Sequence, residues 1–366
     1  MVQNRVVMLV DFDYFFAQCE ELRKPVIKDK PVVVGVYSGR TEDSGAVSTS
    51  NYIARRYGVK SGIPIFLAKR NLEGVDAVFF PVDHMYYEQI SDRVMQMLNS
   101  YAGCLEQVSI DEAYLDVTVH VGGSFEKAYF FAQKIKQDIK DQVGLSVSIG
   151  VGPNKLVAKI ACDSQKPDGL TLVKPDEASL FLAPLPVSYL LGVGKKTFAR
   201  MEQMGIHTID DLAKFDVQRL IAMFGKVLGL YFHNAANAID NEPVVFAGDA
   251  ESISKIGTLK QDTNDLTCIL QKTDELTEIV YKEATAKGYN FKTVSIYMVN
   301  VDLLSKSRSI TLEQPIKDKE TFKRHIRVLI EKYLAESSLE IRRVGVRISG
   351  LSKEPPQQKQ LSSFFK

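Results

Sequence analysis

The sequence predicts a multidomain α+β protein in which two βαββαβ units flank a strand-poor helical stretch. Three observations predict it. A continuous apolar run, Val6–Val10, stops on Asp11-Phe12-Asp13, as a strand buried on both faces does when it reaches a loop. Between about Leu170 and Asn241 the apolar spacing turns helical. After the linker-like Asn241-Glu242-Pro243, strand-like and helical runs alternate again, with basic residues on the strands and acidic ones on the helices. A chain of 366 residues is also too long for one ordinary core.

Taken in order, the first strand leads into a Gly-punctuated stretch to about Val82, which contains the run Val32–Val36 and a helix-like Ser50–Tyr57. Tyr87, Ile90, Val94, Met97 and Tyr101 then recur at helical spacing. Two strands around Gln107–Thr118 carry Ser109-Ile110-Asp111-Glu112. Ala128, Phe131, Ile135 and Ile139 mark the next amphipathic helix, which stops near Gly144. Leu145, Val147 and Ile149 alternate with serines, a period-two strand, and the set makes a sheet with helices on one face. Gly192-Val193-Gly194, followed by Lys195 and a short helix, reads as a helix-hairpin-helix turn whose amides suit a phosphate, or as an ordinary C-cap and turn.

The second unit has strands near Ser252–Leu259, Phe291–Val301, Ser305–Leu312 and Ile341–Ser349, and helices near Leu266–Ala286 and Lys319–Leu334. Its strands carry Lys255, Lys260, Lys292, Lys306, Arg308, Arg342, Arg343 and Arg347, whereas Asp274, Glu275, Glu278, Glu283, Glu331 and Glu336 lie on the helices. This sorting predicts one basic sheet face able to dock a phosphate backbone.

The average composition, 45% hydrophobic and 25% charged, excludes a disordered or collagen-like chain. A net charge of +1 argues against a uniformly basic coat. Even residues 244–350 hold 17 basic and 15 acidic residues, so placement carries the signal rather than total. Cys19, Cys104, Cys162 and Cys268 lack the spacing of a zinc site or a disulfide framework. No run approaches the roughly 20 apolar residues of a membrane span, and the expectation is a soluble cytoplasmic protein with no membrane partner.

Asp11, Asp111 and Glu112 are the candidate catalytic and metal-binding residues. Carboxylates gathered at strand ends repel unless cations neutralise them, although acids also occur at turns as caps. Hard oxygen donors without nearby His or Cys suit Mg²⁺, with Mn²⁺ as a substitute. Two such ions activate a hydroxyl and stabilise a departing pyrophosphate. The Phe12 carbonyl is a further candidate ligand.

These segments resemble the Y-family (DinB-like, DNA polymerase IV type) translesion DNA polymerases, particularly archaeal members. The matching stretches are Val10–Gln18, Asn51–Arg55, Gly58–Pro64, Ser109–Asp116, Gly152–Ala161, Lys166-Pro167-Asp168-Gly169, Gly192-Val193-Gly194 and Arg342–Arg347. The resemblance covers nearly the whole chain in order. It implies a right-hand polymerase with a ferredoxin-like palm (1–14 and 83–170), small fingers (15–82), a helical thumb containing the helix-hairpin-helix (171–240), and a βαββαβ little finger (241–350). A disordered tail (351–366) would follow.

By the same resemblance, Asp11, Asp111, Glu112 and the Phe12 main chain hold two Mg²⁺. Thr49, Tyr52, Arg55 and Lys155 meet the triphosphate of a dNTP. Phe16, with Phe15 beside it, is the steric gate that excludes a ribose 2′-OH by clash. The family often has Tyr at this position, so the ring is kept without its hydroxyl. Ser48 and Ser50 line a loose roof over the nascent base pair, which implies low fidelity, and no segment is left over for a proofreading exonuclease. Gly192, Gly194, Lys195, Lys255, Lys292, Arg308, Arg342, Arg343 and Arg347 are the DNA-binding candidates, and primer-template DNA is the partner of a monomer.

Gln358, Leu361, Phe364 and Phe365 fit Gln-x-x-aliphatic-x-x-aromatic-aromatic, the motif that docks the sliding clamp PCNA. Two readings of other classes stay open on the residues alone. A nucleotidyl cyclase also uses a ferredoxin-like palm with paired acids, but the hairpin, the basic sheet and the tail speak against it. A catalytically silent DNA-binding scaffold would not need Asp11, Asp111 and Glu112.

Overall fold

Six residues, Val7–Phe12, form β1, the middle strand of a five-stranded sheet. The computed structural model describes residues 5–246, 248–316 and 318–353. The chain divides into two compact units: one takes residues up to Gly35, Val47–Ile63 and Ala68–Ala247, the other Val36–Ala46, Pro64–Leu67 and the chain from Gly248 on.

After β1 come α1 (Phe15–Arg23), β2 (Val32–Tyr37), β3 (Gly45–Ser50), α2 (Tyr52–Arg55), α3 (Ile65–Asn71) and β4 (Val78–Pro81). The three strands make a small sheet of order β3-β2-β4. Next are α4 (His84–Tyr101), β5 (Cys104–Gln107), β6 (Glu112–Asp116), α5 (Thr118–Val121), α6 (Phe125–Val143), β7 (Val147–Gly152), α7 (Lys155–Ser164) and β8 (Leu170–Leu172). The large sheet runs β5-β6-β1-β7-β8, antiparallel except for the last pair. Met8, Val10 and Phe12 join Tyr87, Leu98, Ile135 and Ile139 in the main core. Val7 and Leu9, on the opposite face, join Ala158 and Cys162 of α7.

That second layer corrects the expectation of helices on one face only. The alternation read for β7 does not give it a wet side, because all six of its residues are buried. The reason lies in its glycines. A Cβ at Gly150 would stand 2.0 Å from the Ala158 carbonyl oxygen and 2.3 Å from the Cys162 nitrogen. Only a bare backbone lets α7 lie this close to the strand. Asn154 starts that helix by accepting from the Val157 N–H at 2.9 Å.

The sheet ends at Leu172, two residues past the expected palm boundary. Residues 241–246 pack in the first unit rather than opening the second, and Val244 is buried against Val7, Leu9 and Tyr114. The helical stretch follows as α8 (Ala178–Leu182), α9 (Lys195–Gln203), α10 (Ile209–Ala213) and α11 (Val217–Ala236). Gly192 turns with φ +82° and Gly194 caps α9, as the hairpin reading requires. Gly225, also at φ +82°, breaks α11 into two helices.

The second unit runs β9 (Ser252–Thr263), α12 (Leu266–Ala286), β10 (Tyr289–Asn300), β11 (Ser305–Ile316), α13 (Lys319–Glu336) and β12 (Ile341–Lys353), the expected βαββαβ order. Its antiparallel sheet is ordered β11-β10-β12-β9. Ile269, Val280, Phe322 and Ile330 of the helices pack on Val294, Ile296, Met298, Val344, Val346 and Ile348. Residues 351–353 continue β12 against β10, so the strand outlasts the expected start of the tail. Among the described residues no helix is long and apolar enough to cross a membrane.

Candidate functional site

Asp11 and Glu112 are direct cross-strand partners of β1 and β6. Their Cβ atoms therefore sit about 5 Å apart on one face. By the two-residue period of β1, Asp11 shares the face of Val7 and Leu9, toward α7. The Phe12 N–H donates to the Asp111 carbonyl at 2.8 Å, tying the third acid to the same strand end. The Ser109 hydroxyl donates to Asp111 Oδ1 at 2.6 Å. Val108 and Ser109 N–H groups both donate to the Glu112 carbonyl, which closes the turn.

Two lysines to which the sequence reading gave no role, although both lie in its matching stretches, face these acids. Lys159 Nζ lies 2.8 Å from Glu112 and 3.8 Å from Asp11, and Lys166 Nζ lies 2.5 Å from Asp11. Both also reach Asp163, at 3.6 and 2.8 Å. Burial pushes the Asp11 carboxyl up to about 6 although Lys166 and Lys159 pull it down. Burial also works against Lys159, yet its bond to Glu112 and the surrounding carboxylates hold the ammonium above its usual range. Among the described residues, no three acid, His or Cys side chains are gathered as a ready-made metal site, since the carboxylates are turned to the ammonium groups. A half-buried, oxygen-only set that already draws two cations fits Mg²⁺ or Mn²⁺ in chemistry.

Lys155, the lysine expected at the triphosphate, sits one turn earlier on α7 than Lys159. There its ammonium bonds both oxygens of Glu106, at 2.8 and 2.9 Å, over the Tyr114 ring. Lys166 is carried by a loop that a buried acid holds in place. Asp13, 1% exposed, accepts from Ser148 Oγ at 2.7 Å, Ser146 Oγ at 3.1 Å and the Asp168 N–H at 2.8 Å.

Tyr52 and Arg55 stand on α2, which Asn51 caps through the Ala54 N–H. The Arg55 guanidinium lies 4.4 Å from the Tyr52 ring centroid, and Nε donates to the Ser50 carbonyl. The Tyr52 hydroxyl is raised by burial and also by Asp13 and Asp11, with Arg55 and Lys166 opposing, so it shares the field of the carboxylates. Ser48 and Thr49 are half-buried on β3. Ser50 is fully buried, its hydroxyl donated to the Val59 carbonyl, so it offers no free group to a roof. Phe16 is half-buried and stacks on Tyr87. The Phe15 ring, 2% exposed, belongs to the core against Phe12, which removes it from side-chain contact with a nucleotide.

The DNA-binding candidates divide sharply. Nothing lies within 4 Å of where a Gly194 Cβ would stand, and Lys195 beside it is exposed, so the hairpin's amide end is open. In the second sheet, Arg343, Gly345, Arg347 and Ser349 of β12 face away from the helices. Beside them lie Thr258, Ile256, Ser254 and Ser252 of β9, and Val299, Tyr297, Ser295 and Thr293 of β10. Arg347 donates to the Tyr297 hydroxyl at 2.9 Å, while its buried Nε has no protein partner. Lys292 is exposed at the β10 bulge, and Arg342 reaches toward Asp262 at 3.8 Å.

Lys255 and Arg308 correct the expected basic face. Strand parity turns both to the helix side, where Lys255 pairs with Glu283 of α12 at 3.3 Å and Arg308 with Glu336 of α13. Gln358, Leu361, Phe364 and Phe365 lie outside the described residues.

Comparison with known proteins shows what the chain is similar to. Residues 10–163 match the impB/mucB/samB family, 250–363 its C-terminal domain, and 188–240 the thumb domain of DNA polymerase-iota. The chain is 44% identical, over the full length of both proteins, to a DNA polymerase IV of Nitrosopumilus maritimus. It is 42% identical to one of Methanosarcina acetivorans, covering 97% of this chain and 98% of the relative. Among solved structures, a Y-family polymerase chimera of Dbh carrying a short Dpo4 segment matches with TM-score 0.91 and 35% identity, over 95% of this chain and all of that one. An insertion ternary complex of Dbh DNA polymerase matches with TM-score 0.69, again at 35% identity and with the same coverage. The chain belongs to the Y-family of DinB-like, archaeal-type translesion polymerases, a family of DNA-directed DNA polymerases.

Proposed function

We propose that this enzyme adds dNTPs to a primer 3′-hydroxyl under the direction of a template, continues past damaged bases with low fidelity, and lacks proofreading. The single observation that carries the reading is the register pairing of Asp11 with Glu112, with Asp111 bound to the neighbouring backbone and two lysines opposite. Asp11, Asp111, Glu112 and the Phe12 carbonyl would hold two Mg²⁺. When bound, such ions make the primer hydroxyl a better nucleophile and offset charge on the departing pyrophosphate.

The protein's own groups supply the rest. Lys166 and Lys159 bring cationic charge to a triphosphate, joined by Arg55 and the hydroxyls of Tyr52 and Thr49. Phe16 fills the space a ribose 2′-OH would need. The hairpin amides at Gly192–Lys195 and the open sheet face with Arg343 and Arg347 take primer-template phosphates. The terminal Gln358, Leu361, Phe364 and Phe365 motif supports tethering to PCNA, which would raise the local concentration of enzyme at primer ends.

Primer extension with Mg²⁺ tests the proposal. Wild type extends a templated primer, and Asp111→Ala, with an unchanged circular dichroism spectrum, extends it at least about a thousandfold more slowly. Robust extension by that variant would sink the assignment.

A further inference from the structure

We propose that Tyr87 and His84 make Phe16 an unyielding gate and thereby set the degree of sugar discrimination. The inference rests on the reading of Phe16 as the residue that excludes a 2′-hydroxyl. Exclusion by clash works only if the ring cannot retreat. An aromatic side chain free on one side swings about 30° off its rotamer at a cost of roughly tenfold in population at most, which would leave the gate weak.

Phe16 is not free. Tyr87 stacks on its face with centroids 4.5 Å apart and planes 23° apart, and His84 meets it edge-on at 6.1 Å. Phe15 adds a third ring at 5.7 Å. Tyr87 cannot move aside, because its side chain is fully buried and its hydroxyl donates to Glu20 at 2.8 Å, itself 1% exposed. Both backing residues lie in the first turn of α4, at i and i+3. That turn is fixed by its Asp83 cap and by the Asp83–Arg23 pair at 2.7 Å, which ties it to the end of α1, the helix that carries Phe16. Ring, backing and tether form one unit. The sequence reading took Tyr87 for a helix-core residue and did not single out His84.

The experiment compares kcat/KM for a dNTP and the matching rNTP opposite one template base, in wild type, Phe16→Ala, Tyr87→Leu, Tyr87→Phe and His84→Ala. The ratio cancels any loss of active protein, so a purely structural role for either residue leaves it fixed. We expect Phe16→Ala to lower the ratio by about a hundredfold or more. Tyr87→Leu should lower it by about tenfold or more, His84→Ala by about threefold, and Tyr87→Phe by less than about twofold. His84 is exposed, so its variant keeps the test decisive if Tyr87→Leu fails to fold. Ratios within about twofold of wild type in both backing variants, or above it, while Phe16→Ala falls, would overturn the proposal. A fall in Tyr87→Phe as large as in Tyr87→Leu would overturn the stacking argument. An unchanged ratio in Phe16→Ala would instead remove the gate reading itself, and this proposal with it.

Discussion

Which lysine faces the carboxylates, and so which one we propose for the triphosphate, follows from where α7 lies on the sheet. Lys155, Lys159 and Asp163 form an i, i+4, i+8 stripe, and each step along it moves a side chain about 6 Å. Lys155 ends over Glu106 and Tyr114, whereas Lys159 and the loop residue Lys166 end on Glu112 and Asp11. The acids were legible in the sequence because strand-end carboxylates in two segments announce themselves. The lysines were not, since helical spacing gives the stripe but not its register against β1. Lys166→Ala should therefore lower kcat/KM for dNTP by about tenfold or more, about 1.4 kcal/mol of transition-state stabilisation. Lys155→Ala should cost less than about threefold. Steady-state extension of one template measures both, and equal losses would return Lys155 to the site.

At the level of elements, the site depends on close contact between β7 and α7. The alternation of Leu145, Val147 and Ile149 with serines correctly marked a strand, yet it hid the second helix layer. A serine can be buried when its hydroxyl is used, as that of Ser148 is by Asp13, and glycine in a strand signals close approach rather than exposure. Gly150 and Gly152 were the available sign. A methyl group at Gly150 would meet the backbone of α7, which cannot move as a side-chain tip would. Gly150→Ala should cost about 3 kcal/mol or more in urea denaturation and reduce primer extension further than that loss explains, because α7 carries Lys159 and leads to Lys166. A change below about 1 kcal/mol would mean that the helix can shift freely.

On the scale of the molecule, the order of elements and the class of the second sheet were legible, but the side to which each basic residue points was not. Bulges between Phe291 and Thr293 and between Ile341 and Arg343 shift parity within single strands, and no composition rule locates them. If the terminal motif serves only as a tether, deleting 358–366 should leave unassisted extension intact and remove stimulation by PCNA; lost basal extension would make the segment structural. The charge argument gives the sharpest test. Each arginine that neutralises a DNA phosphate releases counterions, and its removal lowers the slope of log K against log salt by about 1. Arg343→Ala and Arg347→Ala should each flatten the slope by that amount for primer-template DNA of any sequence, and together by about 2. Lys255→Ala and Arg308→Ala should leave it nearly unchanged, since both side chains pair with helix carboxylates on the other side of the sheet. Fluorescence anisotropy from about 50 to 200 mM salt reads all four variants. Equal flattening by Lys255→Ala would show that its pairing with Glu283 gives way to DNA, restoring the single basic face expected from charge sorting alone.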